Sequence, residues 1–71
     1  MIRKYKKPYL VEVENITETT REVINKGTYA TYSGAVKKYR KWIKEYPMAV
    51  VNIFKKIGPG CFEALPKPNP R

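Results

Sequence analysis

The sequence predicts a small α+β domain, a three-stranded antiparallel sheet with one amphipathic helix packed on a face, in the order ββαβ. Three observations predict it. Residues 33–46 carry apolar side chains at helical spacing: taking 100° per residue, Ala35, Val36, Tyr39, Trp42, Ile43 and Tyr46 fall within an arc of roughly 120°. Residues 9–16 alternate, with Tyr9, Val11 and Val13 on one side and Leu10, Glu12 and Glu14 on the other, which is the period of a strand. Residues 48–54 form a short run rich in Val and Ile, directly after Pro47.

Taken in order, residues 1–7 are a basic lead-in, with Arg3, Lys4, Lys6 and Lys7 around Tyr5. Pro8 introduces the first strand. Residues 17–20 read as a turn without the Gly or Asn-Gly of a tight hairpin. Residues 21–32 are rich in Val, Ile, Thr and Tyr, which suit a strand, but Asn25, Lys26 and Gly27 interrupt the alternation. Either Gly27 sits at a bulge in one long strand, the reading we favour, or residues 25–27 are a hairpin tip between two short ones.

Ser33 is expected to cap the helix, since its hydroxyl can accept from a backbone N–H two or three residues on. Pro47 is expected to end it, because a residue before proline is pushed out of the α region. About thirteen helical residues span roughly 20 Å. Lys55 and Lys56 bring the third strand to the surface. The Gly58-Pro59-Gly60 run then breaks the chain. Residues 58–71, with three prolines among the last six, are expected to be a loose tail that folding does not need, with Phe62 and Leu65 able to latch onto the sheet. The organisation is thus a lead-in at 1–7, one domain at 8–57 and a tail at 58–71.

Seventy-one residues make one domain, and a core this small is marginal. Cys61 is the only cysteine, so no internal disulfide can help. Stability must come from the six Tyr, two Phe and one Trp. Pairing as a homodimer is the other source open to it. Fifteen Lys and Arg against six acids, every one a Glu, give a charge of +9. That excess favours polyanionic partners. No apolar run approaches the ~20 residues of a membrane span, and no secretory leader follows the basic start, so the expected setting is the reducing cytoplasm. A membrane partner is not expected, because the Trp/Tyr stripe is needed for the core.

Catalytic chemistry finds little support. There is no His and no Asp, the single Ser is better used as a cap, the glycines are scattered, and a lone cysteine makes neither a zinc site nor a clear nucleophile. Glu12 and Glu14 share one strand face but read as solvated glutamates. No enzyme, metal or cofactor is expected.

Residues 27–35, Gly-Thr-Tyr-Ala-Thr-Tyr-Ser-Gly-Ala, form a strand ending that runs into a capped helix. Across residues 9–56 this resembles the small ββαβ accessory proteins common in bacteriophage genomes. It is also similar to the three-strand-plus-helix DNA-binding domains of phage integrase arms and plant transcription factors. The phage resemblance implies a single-domain viral protein, placed in the host cytoplasm, that engages host machinery or nucleic acid. It implies no reaction.

Two functions follow as expectations. In the first, the chain binds nucleic acid, DNA included, through phosphate contacts from the helix face opposite the stripe, where Lys37, Lys38, Arg40, Lys41 and Lys44 stand with Glu45 as the one acid. Lys6 and Lys7 assist. In the second, it is an inhibitor or adaptor that binds an acidic surface on a host protein, anchored by Tyr29, Tyr32 and Phe54 and steered by the same cations. Tyr39, Trp42 and Tyr46 belong to the core in both.

Overall fold

A computed structural model describes residues 6–69. The elements run β1 (Tyr9–Ile16), β2 (Arg21–Tyr29), α1 (Tyr32–Glu45), β3 (Val50–Gly58) and β4 (Cys61–Ala64). They build one antiparallel sheet in the order β2-β1-β3-β4, with α1 across one face. The sheet therefore has four strands, not the three that the sequence predicts. The basic lead-in falls mostly on residues 1–5, outside the described residues.

The core is the meeting of two periodicities. Val11 and Val13 from β1 stand opposite Ile53 and Val51 of β3. Against this apolar square α1 lays Ala35, Val36, Tyr39 and Trp42, all buried. Tyr9, Tyr29, Ile43, Tyr46, Ala49 and Leu65 pack around the edge, half-buried. The helical stripe and the alternation of the first strand are as the sequence predicts.

The fourth strand comes from the supposed tail. Pro59 followed by Gly60 at φ 69° supplies what a type II turn needs, a fixed negative φ and then a positive one. Gly58 thereby pairs with Cys61, and Lys56 with Phe62. The Leu65 N–H then donates to the Ile53 carbonyl at 2.9 Å, seating Leu65 against the core. The chain continues to the helix, where Arg40 Nε donates to the Asn69 carbonyl at 3.0 Å. Residues 61–69 are thus part of the fold, and the expectation of a loose tail is corrected.

The segment from Arg21 to Tyr29 is one long strand. Its bulge, however, lies at Ile24: Val13 pairs with Asn25 and Glu14 with Val23, which leaves Ile24 over. Gly27 instead makes room for an aromatic ring. A methyl group there would sit 2.5 Å from the Tyr29 hydroxyl oxygen, so the ring of Tyr29 lies back over the glycine. The β1–β2 turn is closed by two threonines in place of Gly or Asn. Thr17 N–H donates to the Thr20 carbonyl at 2.9 Å, Thr20 N–H to Thr17 Oγ1 at 3.0 Å, and the two hydroxyls meet at 2.7 Å.

The helix starts two residues earlier than expected, at Tyr32, and its cap is Thr31. The cap residue is extended (φ −126°, ψ 153°), and its Oγ1 accepts from Gly34 N–H at 3.1 Å. Ser33 lies inside the first turn. At the other end the Tyr46 N–H donates to the Trp42 carbonyl at 2.8 Å before Pro47. Thr31→Ala should therefore cost ~1 kcal/mol, lowering the melting temperature by about 4–8 °C, whereas Ser33→Ala should change stability by less than about 0.5 kcal/mol. Thermal melts of the two variants check this, and the reverse order would return the cap to Ser33.

Candidate polyanion-binding surface

The stripe that buries Trp42 fixes what α1 shows to solvent. Lys37, Lys41 and Lys44 are exposed, and Lys38 and Arg40 flank them half-buried. From Lys37 to Lys44 they cover about 10 Å of helix axis. No acid lies in the first turn, and Lys44 in the last turn complements the negative end of the helix.

Three of the five cations are held in place. Lys38 Nζ sits 5.2 Å from the centre of the Trp42 ring, a cation–π contact that ties the outer face to the core. Arg40 is held by the Asn69 carbonyl. Lys41 Nζ lies 3.7 Å from Glu45 Oε1, an exposed i,i+4 pair of little energetic worth. Lys37 and Lys44 have no ion-pair partner among the described residues.

The end of the sheet below the helix N-terminus gathers the other expected residues. Tyr9 pairs with both Tyr29 and Lys55, and the Lys56 N–H donates to the Pro8 carbonyl at 2.7 Å. Lys6 and Lys7, both exposed, are therefore brought beside Lys55 and Lys56. The pleat sends the last two to opposite faces, Lys55 with the helix and Lys56 away from it. Tyr32 is 44% exposed and packs its ring edge-on against Tyr9, centroids 5.8 Å apart at 62°. Tyr29 is half-buried, and burial pushes its phenol above the ordinary value. Phe54 is half-buried on the sheet face that the helix leaves open.

Sequence reasoning does not find Asn69 as the clasp on Arg40. Nor does it find Phe62 as a residue of the same open face, because both need the fourth strand. Among the described residues there is no pocket and no group of three or more His, Cys, Asp or Glu that could hold a metal. Cys61 is a free, exposed thiol at the β3–β4 turn.

What the fold and the surface define is a small basic α+β domain with a cationic helix over an antiparallel sheet. No family model, curated protein or solved structure matches the chain. Among the described residues, no helix is long and apolar enough to cross a membrane.

Proposed function

We propose that this chain is a non-enzymatic binding protein that engages nucleic acid through phosphate contacts from the outer face of α1. The observation that carries the reading is five cations on one helix face, of which Lys37 and Lys44 stand without an ion-pair partner among the described residues. The cation–π contact of Lys38 and the Arg40 clasp limit the side-chain freedom lost on binding. Lys6, Lys7 and Lys55 extend the field beyond the helix N-terminus. Such contacts position a duplex without reading its sequence. The proposed setting is the cytoplasm, of a phage-infected host if the resemblance holds.

A second reading rests on Tyr32. An exposed ring braced against Tyr9 beside a cluster of cations is the kind of anchor a protein interface uses. The partner would then be an acidic surface on a host protein, and the helix would steer the encounter.

Replacing Lys37, Arg40, Lys41 and Lys44 by Gln takes the charge from +9 to +5 (9 − 4 = 5) and keeps helix propensity. If about four phosphates are neutralised, the log affinity of the wild type for duplex DNA falls with log salt at a slope of roughly −3.6. The quadruple variant should melt cooperatively, lose most duplex binding and show a flatter slope, with unchanged sequence preference. Unchanged affinity in a folded variant would move the site off the helix. No wild-type binding at low salt would leave the host-protein reading.

A further inference from the structure

The helix covers one face of the sheet and leaves the other open. We infer that the β3–β4 end of this open face is a stacking platform for the bases of single-stranded nucleic acid. The inference does not rest on the helix-face reading, since the two surfaces lie on opposite sides of the sheet.

The register places the platform. Side chains directly opposite one another across a sheet share a face. Leu10 pairs with Phe54 and Phe54 with Ala64, so these three make an apolar row across β1, β3 and β4. In the adjacent row Lys56 pairs with Phe62. Phe54 and Phe62 are therefore diagonal neighbours, roughly 7–8 Å apart by ordinary sheet geometry. Leu10 and Phe54 are half-buried and Phe62 is 44% exposed, and among the described residues no helix or strand lies over them. Thr28, opposite Leu10, and Asn52, one row away, offer hydrogen bonds to base edges at the border.

Charge selects the occupant. Of the acids on this face, Glu12 stands in the row next to Leu10 and Phe54, opposite Asn52, and Glu14 one row farther, and both have cations beside them. Glu12 stands opposite Lys26. Glu14, only 12% exposed, has Arg21 Nε at 3.0 Å from its Oε2. That oxygen makes no hydrogen bond of good alignment, so its compensation is Coulombic. Glu63 falls on the helix side of β4 by the same pleat. On the side away from Glu12 the aromatic row is bordered by cations, Lys56 within it and Lys6 and Lys7 leading into Pro8 beside it. One exposed and one half-buried ring among cations, with the neighbouring Glu12 faced by Lys26, suit a flexible polyanion that carries flat apolar groups. A second copy of this chain would bring +9 against +9.

Titration of wild type and variants with a short labelled oligothymidylate and with duplex DNA tests the inference. Phe62→Ala should weaken the single strand by roughly 5- to 100-fold, the range that loss of one stacked base implies, and should leave duplex affinity within about twofold. Phe62→Leu keeps an apolar side chain on the strand and should weaken binding similarly, which guards against a misfolded alanine variant. Phe62→Trp should restore it. Four results would overturn the inference: single-strand affinity unchanged in the Leu variant, equal loss for single strand and duplex, no wild-type binding to the single strand at low salt, or a wild-type dimer in sedimentation that Phe62→Ala turns into monomers. The last would show that a second copy covers the face. Loss of duplex binding in the helix variant alone bears on the other surface and leaves this one standing.

Discussion

Trp42→Ala should unfold this protein or bring it close to unfolding. The indole is 5% exposed and lies in the middle of the stripe that joins α1 to β1 and β3. Emptying a buried aromatic site costs ~3–5 kcal/mol. Domains of ordinary size have only about 5–15 kcal/mol in total, and a chain of 71 residues sits at the low end. The cavity would open in the cluster that Trp42 shares with Val36 and Tyr39 of the helix and with the paired Val51 and Ile53 of β3, whose backbones are held, so collapse to fill it is restricted. The same change removes the ring beneath Lys38 and frees one cation of the outer face. A circular dichroism melt reads the result. A variant melting within a few degrees of wild type would mean that the helix packs by another face.

Ending the chain after Gly58 should be the next most damaging change. It removes β4, strips the β3 edge of its partner, and takes away Leu65, whose side chain closes the core and whose N–H meets the Ile53 carbonyl. Lost apolar burial and lost edge hydrogen bonds together should amount to about 2 kcal/mol or more, a fall in melting temperature of about 8 °C or more. Arg40 would also lose its clasp. A truncated chain with the wild-type melt would restore the view that residues 59–71 are dispensable.

The contrast between these two regions shows what the sequence carries. The helix was legible because burial repeats along it at every turn: each buried residue on α1 sits at the spacing expected of one face. Strand β1 was legible for the same reason, with its inward and outward residues differing in kind. All four residues of β4 are exposed, so no alternation marks it. Its signal was the Pro59-Gly60 pair read as a turn rather than as a break. In β2 the bulge at Ile24 puts the residues before it out of phase with those after it, which is why its pattern looks irregular. The expected cap falls two residues too late, since Thr31 and Ser33 offer the same chemistry two positions apart. The cations of α1 could be placed from spacing alone. Their partners could not, because the Arg40–Asn69 contact joins residues far apart in the chain.

The strand order also sets how the chain must reach this state. Strands β1 and β2 meet through the threonine turn, and β3 and β4 through the Pro-Gly turn, so each hairpin can close within ~1–10 μs. The two central strands meet only when a loop spanning residues 15–49 closes, from Glu14 to Val50, and closing a longer loop carries a larger entropic barrier. The fold thus joins two local hairpins along one seam of high sequence separation. The helix belongs to the connection between those hairpins, and its buried stripe packs over both sides of the seam. The face that holds the candidate phosphate contacts should therefore take its final place as this seam closes, not with either hairpin alone.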